Sequence, residues 1–133
     1  RNNRIRKIDL KDKTIQTVAG CSPEGGFSGD GGPATKAVLN IPRGLTFDRK
    51  GNLYFADRLN QRIRKIDRNG IITTVAGTLS TDRMAVSGKG LARWTLIGEP
   101  YELAFDKEGN LLVASELGLL KLWLSAIPQE EKQ

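Results

Sequence analysis

Arg4-Ile5-Arg6-Lys7-Ile8-Asp9 recurs residue for residue as Arg62-Ile63-Arg64-Lys65-Ile66-Asp67, 58 positions later. Two further matches keep the register. Thr17-Val18-Ala19-Gly20 returns as Thr74-Val75-Ala76-Gly77 at an offset of 57, and Phe47-Asp48-Arg49-Lys50-Gly51-Asn52-Leu53 returns as Phe105-Asp106-Lys107-Glu108-Gly109-Asn110-Leu111 at 58. Pro42 returns as Pro100. Self-similarity of this kind marks a repeat architecture, in which each unit buries its apolar face against the next.

One period reads as four short strands. The first holds Leu45 and Phe47, and the second runs over 53–57. Between them, Asp48-Arg49-Lys50-Gly51-Asn52 is a hairpin loop in which glycine supplies a positive φ. The third strand covers 62–67, and Arg68-Asn69-Gly70 turns the chain into a β-branched fourth strand over 71–75. Leu53-Tyr54-Phe55-Ala56 is apolar without a break. Alternation would mark one wet face, whereas an unbroken run marks a strand covered on both. Sheets stacked radially cover both faces, so the expected fold is all-β, a β-propeller of four-stranded antiparallel blades. Ile63 and Ile66 stand three apart, which predicts a bulge in the third strand.

The repeat phase divides the chain into six parts. Residues 1–20 hold the last strands of a first blade, 21–42 a glycine-rich linker and 43–77 a complete blade. A degenerate linker follows over 78–99, then a partial terminal blade over 100–124 and a polar tail over 125–133. One full blade and two partial ones cannot close a ring. The reading therefore expects a carboxyl-terminal fragment that needs the remaining blades. The last blade departs from the pattern: Ser115 matches Asp57, Gly118 matches Asn60, and Leu119 takes the Arg62 position after a one-residue deletion. In its linker, Lys89 replaces Asp30.

The stretch from Gly51 through Asp57 and Asn60 to Asp67 resembles the NHL repeat. Gly26-Phe27-Ser28-Gly29-Asp30-Gly31-Gly32-Pro33-Ala34-Thr35 resembles the inter-blade segment of bacterial NHL-repeat proteins and of teneurin-like propellers. The resemblance runs from Asn2 to about Trp123. It implies a scaffold that binds a protein or a small ligand, in an extracytoplasmic, secreted or cell-surface bacterial setting. It also brings an enzymatic alternative. Related lyases rely on histidine, and lactonase-like hydrolases hold a divalent cation with carboxylates and asparagines spread over many blades. Such residues would lie in blades outside this sequence.

The 133 residues carry a formal charge of +6, with 21 Lys and Arg against 15 Asp and Glu, no histidine and the single cysteine Cys21. One cysteine excludes an internal disulfide and a multi-cysteine zinc site. Lack of histidine removes the commonest general base and metal ligand. No catalytic residue, metal or cofactor is expected in this segment, and the reading leans away from an enzyme. No apolar run approaches the ~20 residues that span a bilayer. The basic balance permits RNA or another polyanion as partner. Arg4, Arg6 and Lys7 recur as Arg62, Arg64 and Lys65, which reads first as a solvated outer strand and alternatively as a polyanion surface. Aromatic residues for base stacking are few, and most read as buried.

Residues 25–32 can be an anion nest or a calcium loop, but they lack the ending of a P-loop and the acidic spacing of an EF-hand. They read as a tight turn in which Asp30 accepts backbone N–H groups, followed by a short helix begun by Pro33. Asp57, Asn60 and Arg62 carry the repeat's polar signature. Either they form a ligand-contacting turn, or Asn60 closes the loop while Asp57 pairs with Arg62 across the hairpin. Alternate connections of a meander lie at opposite ends, so the linker and Arg58-Leu59-Asn60-Gln61 share one. Arg43, Arg58, Gln61 and Lys36 are the candidate partner-binding residues at that end.

Overall fold

The computed structural model describes residues 2–78 and 96–124. Within them, strands form three antiparallel sheets. β1 (Ile5–Asp9) and β2 (Thr14–Ala19) make the first. β3 (Pro42–Phe47), β4 (Leu53–Asp57), β5 (Arg62–Ile66) and β6 (Ile72–Ala76) make the second, paired in sequence order. β7 (Pro100–Phe105), β8 (Leu111–Ser115) and β9 (Gly118–Leu122) make the third. Each sheet is a meander, and the all-β propeller-blade architecture expected from the repeat is the one observed.

An aspartate closes the turns β1–β2, β3–β4, β5–β6 and β7–β8. Asp48 accepts the N–H groups of Lys50 and Asn52 at 2.9 Å each and the Asn52 side-chain amide at 2.8 Å. Asp106 repeats the arrangement with Glu108 and Asn110. Asp67 accepts from Asn69 and Ile71, and Asp9 from Lys11 and Asp12. A short carboxylate that bonds the backbone two residues on forms an Asx turn, which is why the repeat keeps aspartate there. Burial works against the charged form of Asp48, but the bonds from Asn52 and Lys50 outweigh it and hold the carboxyl below its usual 3.8. Asp106 is held low in the same way, with Lys121 adding to the donors.

β4 is buried along its whole length. Its alternate side chains fill two different cores. Leu53 and Phe55 join Ile5, Ala19 and the linker residues Ala34, Ala37 and Leu39. Tyr54 and Ala56 join Ile97, Leu103, Leu111 and Val113. One strand thus packs against both neighbouring sheets, and each large apolar residue so buried contributes about 1.5–3 kcal/mol. The Tyr54 ring meets Phe105 edge to face, with centroids 5.1 Å apart. Burial, reinforced by the Asp48 carboxylate, pushes the Tyr54 hydroxyl up to about 12.

Two local readings of the sequence are corrected. Ile63 and Ile66 need no bulge on β5, because Ile63 enters one core and Ile66 the other, as alternation on a regular strand requires. The bulge lies on β6: Ile63 faces Ala76 and Arg64 faces Thr74, leaving Val75 as the extra residue. Val18 does the same on β2. In the last sheet, Ser115 faces Gly118 as Asp57 faces Arg62. Gly118 therefore occupies the Arg62 register, Leu119 the Ile63 register, and the β8–β9 loop is Glu116-Leu117 alone. Ser115 closes this shorter loop by accepting the Leu117 N–H at 3.1 Å and donating to the Gly118 carbonyl at 3.3 Å.

The glycine that ends each Val-Ala-Gly match has a steric reason. Gly20 and Gly77 have φ of +96° and +90°, and a Cβ on them would sit 2.4 Å from the Asn3 carbonyl oxygen and 2.2 Å from that of Gln61. Asn3 and Gln61 are themselves left-handed, at φ 47° and 52°. Gly70 (φ +80°) has open space around it. Gly70→Ala should therefore cost only the backbone strain, about 1–2 kcal/mol. Gly77→Ala should cost roughly twice that, because the backbone of Gln61 must also move. Urea unfolding of the two variants checks this, and equal losses would contradict the close approach.

Asp48 and Asp106 also set an acid limit. A carboxyl held below its unfolded value stabilises the fold above that value, and the contribution is lost as pH falls through the lowered one. The window opens near the usual 3.8 and extends downward for Asp48 and Asp106. Thermal melts of wild type and Asp48→Asn should differ at neutral pH and converge as the pH is lowered from about 4 downward. A constant difference across that range would show that the charge of Asp48 is not what holds the turn.

Candidate functional site

Arg64 is fully buried, with 0% of its surface exposed. An arginine is tolerated in such a place only when its charge is matched; here both terminal nitrogens are bonded, and the Nε N–H has no acceptor among the described residues. Its position follows from the register: it lies opposite Phe55 of β4, on the side where the 26–40 linker packs. Nη1 donates to the Val38 carbonyl at 3.2 Å and to Asp57 Oδ2 at 3.3 Å. Nη2 donates to the Ser28 carbonyl and to Asp30 Oδ1, both at 2.9 Å. Three of these four acceptors belong to the linker.

The remaining polar groups extend the clamp. Asp57 Oδ1 accepts the Asn40 N–H at 2.8 Å, and Oδ2 also accepts the Asn60 amide at 2.8 Å. The same Asn60 nitrogen donates to the Gly26 carbonyl at 2.7 Å. Asp30 takes the Thr74 hydroxyl on its other oxygen. Phe27 covers the assembly, with the Arg62 guanidinium 3.7 Å and that of Arg64 4.7 Å from its ring centre. Burial pushes the Asp57 carboxyl above its usual 3.8, against the pull of the Asn40 N–H, Asn60 and Arg64.

This arrangement differs from the sequence reading in identifiable ways. Asp57 takes Arg64 as its ion-pair partner, while Arg62, directly across the ladder, lies over Phe27 and donates to the Asn60 carbonyl at 3.4 Å. Asp30 accepts from two side chains, Arg64 and Thr74, where backbone donors were expected. Arg64 does not belong to a solvated row, although its repeat mate Arg6 is exposed. Of the aromatic residues, Tyr54 and Phe55 are buried, but Phe27, Phe47, Tyr101 and Trp123 are exposed. Lys89 lies outside the described residues.

The proposed loop end holds together around Asn40, whose carbonyl accepts the Leu59 N–H at 3.1 Å. Gln61 ends the 3-10 turn Arg58–Asn60, donating its N–H to the Arg58 carbonyl. Arg58 pairs with Glu99 at 2.8 Å, both about a third exposed, a contact worth about 0–1 kcal/mol. Arg43 is exposed on β3, and Lys36 is exposed on the 3-10 turn Ala34–Lys36, beside Cys21. The linker does not stay at this end. Residues 31–34 bond to Ile72 and Gly70, covering the start of β6. Among the described residues no three metal-ligating side chains gather.

Removal of the buried guanidinium should be far more damaging than removal of the outer one. Arg64→Met leaves Asp57 uncompensated and should cost about 3–5 kcal/mol. Arg62→Ala loses a partly exposed cation–π contact, about 1 kcal/mol. Denaturant unfolding measures both, and protease cleavage within 21–40 should rise only for Arg64→Met. Equal effects would mean that the clamp is centred elsewhere.

Residues 3–91 match the family model of the teneurin NHL domain. Teneurin-1 of Gallus gallus is 47% identical over 78 residues, covering 53% of this chain and 3% of that protein. Teneurin-4 of Mus musculus is 45% identical over 113 residues, covering 75% of this chain and 4% of that protein. The chain thus spans only a small part of the length of these relatives. A Bacteroides thetaiotaomicron protein of unknown function superposes with a TM-score of 0.74 at 25% identity, over 90% of this chain and 30% of that one. An auxiliary nutrient binding protein from the same organism superposes at 0.61 with 23% identity, over 84% of this chain and 30% of that one, a likeness of fold alone.

Proposed function

The chain belongs to the teneurin NHL domain family, and from that footing we propose that it is a propeller scaffold that recognises a protein partner through its loop end. The observation that carries this reading is the clamped linker. A long irregular segment is fixed at Gly26, Ser28, Asp30, Val38 and Asn40 by buried groups, while Lys36 and the adjoining Arg43 stay exposed. A loop ordered in advance binds without the cost of ordering it, about 0.5–1.5 kcal/mol per immobilised side chain. In this reading Asp30, Asp57, Asn60 and Arg62 hold the surface in shape, and Lys36, Arg43, Arg58 and Gln61 present it.

The polyanion alternative draws less support. Arg64 is buried, Arg62 lies against Phe27, and Arg58 is paired with Glu99. Three of the cations that motivated it are therefore engaged within the chain. The lactonase-like alternative gains nothing from this site, whose carboxylates and amide serve the clamp.

A photo-crosslinking residue placed at position 36 or 43 of the full-length protein tests the proposal. Protein adducts should form from those positions and be much weaker from position 50, at the opposite end. Adducts to RNA alone, or equal yields from all three, would sink it.

A further inference from the structure

Asn69-Gly70 is the sole Asn-Gly pair of the sequence, and it stands in the turn between β5 and β6. When glycine follows asparagine, no Cβ shields the next backbone nitrogen from the side-chain amide. The surroundings leave that approach open. Arg68 and Asn69 are exposed, and a Cβ at Gly70 would meet no atom within 4 Å. The Asn69 backbone N–H is bonded to Asp67, but its side-chain amide has no hydrogen bond among the described residues. Other candidates are shielded. Asn52 and Asn110 are each followed by leucine and give their amides to Asp48 and Asp106. Asn60 is buried and bonded to Asp57. Asp30-Gly31, the sole Asp-Gly pair, has its two carboxylate oxygens taken by Arg64 and Thr74, while Gly31 donates its N–H to the Ile72 carbonyl at 2.8 Å.

The turn also joins the linker to the second sheet. Asp67 accepts the N–H groups of Asn69 at 2.9 Å and of Ile71 at 3.0 Å on one carboxylate oxygen, and its carbonyl accepts the Gly70 N–H at 2.9 Å. The Gly70 carbonyl accepts the Ala34 N–H at 2.8 Å, and Ile72 exchanges backbone bonds with Gly31 and Gly32. Residues 31–34 are thereby stitched to the start of β6. The Gly70 N–H must leave Asp67 before its nitrogen attacks, so the reaction draws on brief openings of an exposed turn.

We propose that Asn69 is a self-modifying site, where conversion to isoaspartate unties residues 31–34 of the linker from β6. The Gly70 nitrogen loses its proton and bonds to Asn69 Cγ. The Cγ–Nδ2 bond breaks, and the departing nitrogen takes up a proton and leaves as ammonia. Water then opens the five-membered imide. Cleavage at the Asn69 main-chain carbonyl carbon leaves the chain running through Cβ and Cγ, which is isoaspartate; cleavage at Cγ gives aspartate. Water is the only co-reactant, and nothing is oxidised or reduced. Isoaspartate adds one atom to the main chain between the N–H of residue 69 and that of Gly70. Their two bonds to Asp67 then lose register, and the Gly70 carbonyl moves away from the Ala34 N–H. A free carboxylate also appears two residues from that of Asp67. This inference concerns the β5–β6 turn and does not rest on recognition at the loop end.

The test ages the full-length protein in mildly alkaline buffer, which favours loss of the Gly70 proton. Peptic digestion follows, in acid, where the reaction stops. The peptide holding residue 69 should become heavier by the exchange of NH for O. It should also accept labelled methyl groups from S-adenosylmethionine through an isoaspartyl methyltransferase, while peptides holding Asn52 and Asn110 stay unchanged. Thermolysin cleavage within 31–36 should rise several-fold in the aged protein over the fresh one. Both changes should be absent from aged Asn69→Gln, in which the ring would need a sixth member. An unchanged mass at residue 69, a heavier peptide that takes no label, or equal conversion at 52 and 110 overturns the proposal. So does cleavage that rises equally in aged Asn69→Gln.

Discussion

The guanidinium of Arg64 carries a full charge at a position with no access to water, and much of the molecule is arranged around that fact. Desolvating such an ion costs several kcal/mol, which only close and well-aligned acceptors offset. Val38, Ser28 and Asp30 supply three of the four, and all belong to the segment between the sheets. That segment cannot leave without stranding the charge. An irregular stretch with one short 3-10 turn consequently behaves as part of the core, and Ala34, Ala37 and Leu39 fill the space between sheets as strand residues would. The exposed Arg58–Glu99 pair has shorter contacts but a fraction of this consequence, because water competes for both partners.

The last sheet shows what happens when the clamp is absent. Ser115 stands where Asp57 does, and Leu120, facing Val113, stands where Arg64 faces Phe55. Both buried members of the ion pair are replaced together, the outcome expected when a lone buried charge costs more than either alternative. The apolar anchor of the linker is separate from the ionic one. Ile97 occupies the repeat position of Leu39, and both are completely buried.

The sheets were legible in the sequence because the features that make them are local. The unbroken Leu53–Ala56 run announced a strand covered on two faces, and Asp-x-x-Gly and Asn-Gly turns marked its ends. The clamp was not legible. Arg6 and Arg64 sit in identical hexapeptides, yet one is exposed and the other buried, since burial is decided by a linker far away in sequence. Position across a hairpin favours an Asp57–Arg62 pair over Asp57–Arg64 in sequence. The pleat also brings Arg64, two residues on, to the same face and inside the core. Phe27 left one signal, as the lone aromatic residue of the 21–42 linker. The loop at Glu116-Leu117 was misread by one position, because sequence matching alone does not say which side of a gap a residue falls on.

The divided loyalty of β4 has a bearing on how such a chain can change over time. Outside their own sheet, Leu53 and Phe55 answer to residues earlier in the sequence, Tyr54 and Ala56 to residues later. Substitutions at alternate positions of one five-residue strand should then be compensated in opposite directions along the chain. Phe55 should covary with positions such as 34, 37 and 39, and Tyr54 with positions such as 103 and 105. Adjacent residues of a single strand would carry two independent evolutionary histories.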